Sequence, residues 1–371
     1  MSARIALDAM GGDHLAVPNL QGAYRAIKRS IKSGSDLKVY LVGPKAQLIS
    51  SLKKVSDDPH VPRDNKIDLK EFEKFVSEGR LEFVDCTQIV EMADSPSTAV
   101  RTKKDSSLAR CLNLVKEEKA DAMISAGNSG AVMAFGVAIL GRMTSIRRPA
   151  ILCHFPSPKG ITVLLDGGAN VDCTSEQLLQ FGQMGHIYSQ SVFEIQNPRV
   201  ALMNIGEEEG KGNELVKATA ILLKEKLGVD YMGYVEGRDC FNGKADVIVC
   251  DGFVGNVILK TAEGVAQVVK NTLKEEFAKS IVYLFGAWLA RSGFAAIKAK
   301  MDYREYGAAP LVGLNGLALI AHGSSDGKAI MNALLIAEKY AKQGLITKLR
   351  AAFNSKDSPK LLKSEIGGLS S

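Results

Sequence analysis

Six short apolar segments of this chain each end in a glycine-rich turn, and this pattern restricts the possible folds more than any other feature. The turns are residues 9–13 (AMGGD), 125–130 (SAGNSG), 166–170 (DGGAN), 204–213 (NIGEEEGKGN), 251–256 (DGFVGN) and 322–326 (HGSSD). Between most of the apolar segments lie stretches with the spacing of amphipathic helices. The alternation predicts repeated βαβ units and an α/β fold with a doubly wound, largely parallel sheet.

Eight segments have the composition of strands. They are residues 4–8, 38–43, 81–84, 122–125, 150–154, 162–166, 199–204 and 246–251. Several of them finish in Asp, Ser or Asn followed by glycine. Because ligands of open α/β sheets bind beyond the carboxyl ends of strands, we expect the six turns to converge at one such edge.

Three segments depart from this alternation. Residues 56–76 are charged and interrupted by prolines, which predicts a surface excursion with a short helix at 69–76. Residues 264–300 predict a long helix or helical hairpin that protrudes from the domain. We therefore expect one catalytic domain over residues 1–345, with the protrusion at about 264–305, followed over 346–371 by a helix end and a flexible tail.

The composition is that of a globular protein of the cytoplasm. The 371 residues are 46% hydrophobic and carry a net charge of +6, which favours acidic partners and does not call for nucleic acid. The six cysteines form no C-x-x-C pair, as expected in a reducing compartment. The sequence passes from Met1 directly into a strand, without an export signal, and has no apolar segment long enough to span a membrane.

The side chains in the turns suit an anion. Glycine lets backbone N–H groups approach a ligand, and a following helix directs its positive end towards it. The turns add Asn170, Lys211, Asn213 and Asn256, which donate hydrogen bonds or neutralise charge rather than pair a nucleophile with a base. The alternative for any one turn is ordinary strand-to-helix loop chemistry.

Residues 206–212 nearly match a nucleotide-binding P-loop. The stretch has one residue too few between its glycines and lacks the Ser or Thr after Lys211 that would bind magnesium. A lysine at the start of a helix remains, which is a suitable place for phosphate or an oxyanion. A solvated lysine in a glycine loop is the alternative.

Other chemistries find less support. Residues 323–327 match G-x-S-x-G, but no histidine follows Ser325, so the chain order of an α/β-hydrolase fails. No dinucleotide fingerprint and no metal-binding motif occurs, so we expect neither a cofactor nor a metal. Asp8, Asp13, Asp166 and Asp251 stand at strand ends or in turns, where helix capping is the simpler role.

One apolar stripe has two interpretations. Ile281, Leu284, Phe285, Trp288 and Leu289 recur at helical spacing, with basic residues just beyond them. Such a stripe usually faces a core, yet a tryptophan beside basic residues also suits a helix lying in an anionic membrane surface.

Taken together, the motifs closely resemble those of the bacterial phosphate acyltransferases, which make acyl phosphate from acyl-acyl carrier protein and inorganic phosphate for phospholipid synthesis. The segments that carry the resemblance are residues 5–14, 124–131, 165–172, 204–215, 245–257 and 321–326. The likeness extends in order from about residue 3 to residue 345. Residues 57–78 look longer than the linker usual in the family, and Gly167 stands where valine is commoner.

The resemblance implies a three-layer αβα fold like that of isocitrate and isopropylmalate dehydrogenases and of phosphotransacetylase. It further implies a homodimer attached peripherally to the inner face of the membrane, with a membrane glycerol-3-phosphate acyltransferase acting downstream. Lys211 and Asn256 match the positions expected to act in catalysis. Leu284, Phe285, Trp288 and Leu289 are expected to contact the membrane. The expected phosphate and substrate contacts are Asp8, Gly12, Asp13, Gly127, Asn128, Ser129, Asp166, Gly168, Asn170, Asn204, Asn213, Asp251, Gly255 and His322.

Two other classes of protein remain open. An NAD-dependent β-decarboxylating dehydrogenase would share the architecture, but it requires a metal-binding aspartate cluster and a cofactor loop. A non-enzymatic scaffold for acyl carrier protein at the membrane would need no phosphate site.

Overall fold

Strands and helices alternate along most of the chain. The computed structural model describes residues 2–59, 61–62, 65–294 and 303–354. The strands are β1 (Ala3–Asp8), β2 (Leu37–Val42), β3 (Leu81–Val84), β4 (Ala122–Ser125), β5 (Ala150–Ile151), β6 (Cys153–Ser157), β7 (Gly160–Leu165), β8 (Val200–Met203), β9 (Tyr231–Val235), β10 (Val247–Val249), β11 (Ala308–Val312) and β12 (Leu317–Ala321). The helices are α1 (Ala16–Lys32), α2 (Lys45–Asp57), α3 (Leu69–Ser77), α4 (Pro96–Thr102), α5 (Ser107–Lys116), α6 (Ser129–Ile139), α7 (Ser175–Phe193), α8 (Glu214–Leu227), α9 (Gly252–Ala278), α10 (Ile281–Leu289), α11 (Gly327–Lys342) and α12 (Leu345–Asn354).

The strands form two sheets. The first has the order β3-β2-β1-β4-β12-β11-β5 and the second the order β6-β7-β10-β8-β9. Pairing is parallel except where β11 meets its two neighbours and where β6 meets β7. The predicted α/β fold with a largely parallel arrangement is confirmed, although the strands are divided between two sheets.

One extended segment, residues 150–157, joins the two sheets. Its first part is β5, which pairs with β11, and its second part is β6, which pairs with β7. Because β12–β11, β11–β5 and β6–β7 are all antiparallel, β7 runs opposite to β12. The parallel strands of the two sheets therefore point in opposite directions.

Helices cover both faces of the sheets, because strand residues alternate between two apolar clusters. In β1, Ile5 and Leu7 join a cluster with Leu20 of α1 and Ile330 of α11. Ala6, between them, faces a second cluster formed with α5 and α6. A third cluster packs the second sheet against the start of α9. The result is the expected three-layer arrangement of helix, sheet and helix.

Three predicted segments depart from the alternation of strands and helices: a short helix, a helical protrusion and a C-terminal tail. The short helix predicted at 69–76 is confirmed as α3, which docks on α1 through an ion pair of 2.7 Å between Glu71 and Lys28. The predicted helical protrusion corresponds to α9 and α10, and α9 begins at Gly252, twelve residues earlier than the predicted start at 264. Residues 295–302 of the protrusion and the tail predicted from residue 356 onwards lie outside the described residues.

Candidate active site

The six glycine-rich turns form two groups of three. Residues 8–13, 125–130 and 322–326 follow β1, β4 and β12 of the first sheet, and we call them the first loop group. Residues 166–170, 204–213 and 251–256 follow β7, β8 and β10, and form the second loop group. Within each sheet these strands are direct neighbours, so each group converges. The six turns do not leave a single sheet edge as expected, because they follow strands of two sheets whose direction reverses through the antiparallel pairings at β11 and β6.

The first loop group is organised around the buried carboxylate of Asp8. Its Oδ2 accepts a hydrogen bond from Ser125 Oγ at 2.7 Å, and its Oδ1 accepts one from the Met10 N–H at 3.2 Å. Burial raises the pKa of this carboxyl, and the hydroxyls of Ser107 and Ser125 oppose the rise. Ser125, which sequence reasoning did not single out, also accepts the N–H of Gly127 at 3.1 Å.

The turn after β1 is tied to the turn after β12. The N–H of Asp13 donates to the carbonyl of Gly323 at 2.8 Å, next to Gly12, whose φ is +97°. His322 is exposed, and its Nδ1 lies 2.8 Å from the hydroxyl of Ser324.

Asp166 is the organising group of the second loop group. Its carboxylate is fully buried and accepts five hydrogen bonds, of 2.6 to 3.3 Å, from N–H donors of four residues. The donors are the backbone N–H groups of Ile151, Gly168, Ala169 and Asn170 and the side-chain amide of Asn170. Burial raises the pKa of the Asp166 carboxyl, and these donors oppose the rise. The contacts that the structure gives Asp8 and Asp166 are thus internal, and substrate binding by either carboxylate stays a prediction.

The N-terminus of α9 packs closely against the Asp166 loop. The N–H of Gly252 donates to the carbonyl of Asn170 at 2.7 Å. A Cβ at Gly255 would lie 1.9 Å from the carbonyl oxygen of Asp166, so only glycine fits there. Asn256, one residue further, is exposed and lies beside Gly168.

Lys211 lies in the neighbouring loop, which follows β8. Its side chain is 48% exposed, and its Nζ pairs with Glu208 Oε1 at 2.8 Å. Asn204 fixes the loop from inside, since its side chain donates to the Lys211 carbonyl at 3.2 Å and accepts the N–H of Ile205 at 2.9 Å. Because β10 lies between β7 and β8, the loops with Lys211 and Asn256 leave the same edge of the second sheet.

Several predicted site residues cap helices. The side chains of Asn128, Asn213 and Asp251 accept the N–H groups of Ala131, Val216 and Val254 at the starts of α6, α8 and α9. Asn128 also donates to two backbone carbonyls, whereas Ser129 after it is exposed. The capping alternative therefore describes Asp251 correctly.

Three of the backbone amides expected to bind phosphate already have partners. The N–H groups of Gly127, Gly168 and Gly255 donate to Ser125 Oγ, Asp166 Oδ1 and the Asp251 carbonyl. An added Cβ at each of these glycines would lie close to neighbouring atoms, and phosphate binding by their amides stays a prediction. The exposed side chains of the second loop group that can donate hydrogen bonds include those of Lys211, Asn213 and Asn256.

The hydrolase alternative fails on geometry. Ser325 is only 3% exposed, so its hydroxyl is not presented as a nucleophile would be. Within the described parts of the chain, no group of three His, Cys, Asp or Glu side chains is placed to hold a metal ion. A cavity of about 900 Å³ lies at the opposite end of the first sheet, near Arg4, Ser35 and Asn315, and no residue of either loop group lines it.

The apolar stripe of α10 does not face a core. Leu284, Phe285, Trp288 and Leu289 are each at least half exposed. The Trp288 ring stacks on Phe285, and the guanidinium of Arg291 lies 4.8 Å from its centroid. Among residues 2–59, 61–62, 65–294 and 303–354, no helix is long and apolar enough to cross a membrane.

Comparison with solved structures supports the fold. The chain superimposes on a phosphotransacetylase from Streptococcus pyogenes with a TM-score of 0.52 at 17% identity, covering 94% of both chains. The EutD phosphotransacetylase from Staphylococcus aureus gives a TM-score of 0.54 at 14% identity, covering 92% of this chain and 94% of the other. The expected relation to phosphotransacetylase is confirmed at the level of the fold.

Sequence comparison identifies the family. Residues 3–348 match the family model described as fatty acid synthesis protein. The phosphate acyltransferase of Geotalea daltonii is 45% identical over 92% of each chain, and that of Dictyoglomus turgidum is 43% identical over 95% of this chain and 98% of its own. The phosphate acyltransferase of Alkaliphilus oremlandii is 46% identical over 91% of this chain and 93% of its own. The chain therefore belongs to the fatty acid synthesis protein family, together with these phosphate acyltransferases, and is an acyltransferase.

Proposed function

We propose that this acyltransferase forms acyl phosphate from acyl-acyl carrier protein and inorganic phosphate, the first step towards phosphatidic acid in bacterial phospholipid synthesis. The observation that most supports the proposal is the position of Asn256, exposed on the first turn of α9 beside Gly168. Lys211 is exposed in the next loop of the same sheet edge. An ammonium and an amide at one edge suit a reaction in which phosphate itself is the nucleophile.

The chemistry needs no nucleophile from the enzyme. A phosphate oxygen attacks the thioester carbonyl carbon, and the carbonyl electrons move to oxygen to give a tetrahedral oxyanion. When the carbonyl re-forms, the carbon–sulfur bond breaks and its electron pair leaves as thiolate, a good leaving group with a reference pKa of about 8.5. The protein has to hold phosphate against the carbonyl and stabilise the oxyanion with fixed donors.

Lys211 and Asn256 supply these donors. Since Lys211 is paired with Glu208, the bound phosphate takes the place of that carboxylate at Nζ. The Asn256 amide, held by the close packing of Gly255 on Asp166, donates to the oxyanion. The first loop group, with Gly12, Asp13 and His322, provides the remaining substrate contacts.

The decisive experiment is mass-spectrometric detection of acyl phosphate after mixing the protein, acyl-acyl carrier protein and orthophosphate. Lys211→Met should lower the rate by about a hundredfold or more, the usual effect of losing an oxyanion donor. Lys217→Met is the matched control, because Lys217 is similarly exposed and also pairs with a glutamate three residues away. It should leave the rate unchanged. Near-normal turnover by Lys211→Met would remove Lys211 from the mechanism.

The same mixture separates the other classes of protein. A scaffold for acyl carrier protein would release no carrier thiol when phosphate is added. A dehydrogenase would change the absorbance of a nicotinamide cofactor in the presence of a hydroxy acid. Phosphate-dependent thiol release without any such absorbance change supports the transferase.

We further propose a cytoplasmic homodimer that binds the inner face of the membrane peripherally and delivers acyl phosphate to a membrane glycerol-3-phosphate acyltransferase. The exposed apolar side chains of α10, with Arg291 against Trp288, support the membrane contact. The net charge of +6 suits both anionic lipid and an acidic carrier protein.

A further inference from the structure

Four exposed apolar side chains surround the second loop group. Val171 follows Asn170, Ile205 follows Asn204, and Phe253 and Val257 stand on either side of Asn256 in α9. They are 60%, 81%, 62% and 49% exposed, respectively. We call these four residues the apolar rim. Single exposed apolar residues are ordinary, but four around one polar site indicate a binding surface.

The positions of the rim residues follow from contacts already described. Phe253, Asn256 and Val257 have the i, i+3, i+4 spacing that places side chains on one helix face. The loop before Val171 is bound to the first turn of α9 through the Gly252–Asn170 hydrogen bond of 2.7 Å. The backbone of Ile205 is bound to Asn204, whose amide also fixes the loop of Lys211. The rim thus borders the two proposed catalytic side chains.

We infer that the four residues of the apolar rim are those that contact the first methylene groups of the substrate's acyl chain and set the selectivity of the protein for chain length. The inference rests on the proposed function. An acyl chain begins at the carbonyl carbon, which has to lie beside Lys211 and Asn256 during the reaction. Its next carbons therefore have to cross the residues that flank those two side chains. An acetyl group ends before the rim, whereas an octanoyl group extends over it and removes its apolar surface from water.

Alkyl phosphates test the rim without requiring turnover. Octyl phosphate should bind the unaltered protein at least tenfold more tightly than ethyl phosphate, as measured by isothermal titration calorimetry. The double variant Ile205→Ser, Phe253→Ser should lose at least tenfold in affinity for octyl phosphate and less than twofold for ethyl phosphate. Both residues are largely exposed, so the variant should keep its fold. Ile221→Ser is the control, because Ile221 is 68% exposed on α8 and lies outside the rim; it should bind both ligands normally.

Two outcomes would overturn the inference. One is an equal affinity of the unaltered protein for octyl and ethyl phosphate, and the other is an unchanged preference in the double variant. If the double variant changes the oligomeric state and keeps the preference, the rim is covered by a second copy of the chain instead. If acyl phosphate forms but the double variant keeps the preference for octyl phosphate, the inference alone is refuted. If the double variant loses the preference but the unaltered protein forms no acyl phosphate, the proposed function alone is refuted.

Discussion

Asn256 lies directly against Gly168, so that a methyl group added at Gly168 would lie 3.3 Å from the Cβ of Asn256 and 3.5 Å from its Oδ1. Gly168 also has a φ of +133°, which side chains of L-amino acids rarely adopt. The absence of a side chain at Gly168 therefore leaves the space that the Asn256 side chain occupies.

Gly168→Ala should slow acyl phosphate formation by about tenfold or more, because the new methyl group displaces the Asn256 amide. The positive φ should in addition lower the free energy of unfolding by about 1–3 kcal/mol. Gly160→Ala is the matched control, since Gly160 has a φ of +124° but nothing within 4 Å of an added Cβ. Thermal unfolding should show similar losses of stability in the two variants. Turnover should fall in Gly168→Ala only. Equal turnover would contradict the positioning of Asn256 by Gly168.

The pH dependence of stability should depend on His154. Its Nε2 lies 2.7 Å from the Tyr188 hydroxyl, which lies 2.5 Å from that of Tyr340. Burial, with Lys339 nearby, lowers the pKa of His154 from 6.5 to about 4. The folded protein therefore binds this proton less readily than the unfolded chain. The associated stability is present above pH 6.5 and is lost as the pH falls towards 4.

Between roughly pH 7.5 and pH 5, the contribution of His154 should lower the free energy of unfolding, measured with urea, by about 2 kcal/mol. His154→Phe should lower stability at neutral pH, because it removes the hydrogen bond to Tyr188, but should flatten the decline on acidification. His14→Phe, a change at an exposed histidine, should leave the decline as it is. An equally steep decline in His154→Phe would assign the acid sensitivity to other groups.

The membrane proposal predicts a change in vesicle binding. Replacing Trp288 and Leu289 by aspartate should release the protein from vesicles that contain anionic lipid, because the apolar face and its surface charge are both altered. Both side chains are more than half exposed, so the fold should tolerate the change. Sedimentation with vesicles measures the bound fraction, and acyl phosphate formation in solution checks that the enzyme is intact.

A matched pair of substitutions controls for added charge alone. Ile49→Asp with Ile221→Asp changes two exposed apolar residues on α2 and α8, away from α10, and should leave vesicle binding within about twofold. Unchanged sedimentation of the Trp288 and Leu289 variant would assign the α10 stripe to a partner chain rather than to lipid.

The alternation of strands and helices was predicted correctly from the sequence, but the reversal of strand direction between the two sheets was not. β3 and β4 have the predicted bounds, because each is a short apolar run before a clear turn or helix. β11 was missed because Pro310 interrupts it, and β9 because Gly233 weakens it and its pairing with β8 is irregular. Since β11 is one of the strands that reverse direction between the sheets, missing it hid the division of the loops into two groups.

The sequence predicted the positions of the six loops but not the hydrogen bonds inside them, and the role of Lys211 stays a prediction. Asp166 ends a strand before glycines, a pattern that does not distinguish a ligand-binding carboxylate from one that accepts N–H groups of its own loop. The apolar rim was also missed. Phe253 and Val257 occur in an apolar sequence that predicts burial, and only the tertiary structure leaves them exposed.

Residues 150–157 are hydrogen-bonded to both sheets, and Ile151 in addition bonds the Asp166 loop through its N–H and carbonyl groups. This short segment therefore connects the sheet that carries the first loop group to the sheet that carries the second. Sliding of one sheet past the other would break these hydrogen bonds, whereas a rotation about the segment would keep them.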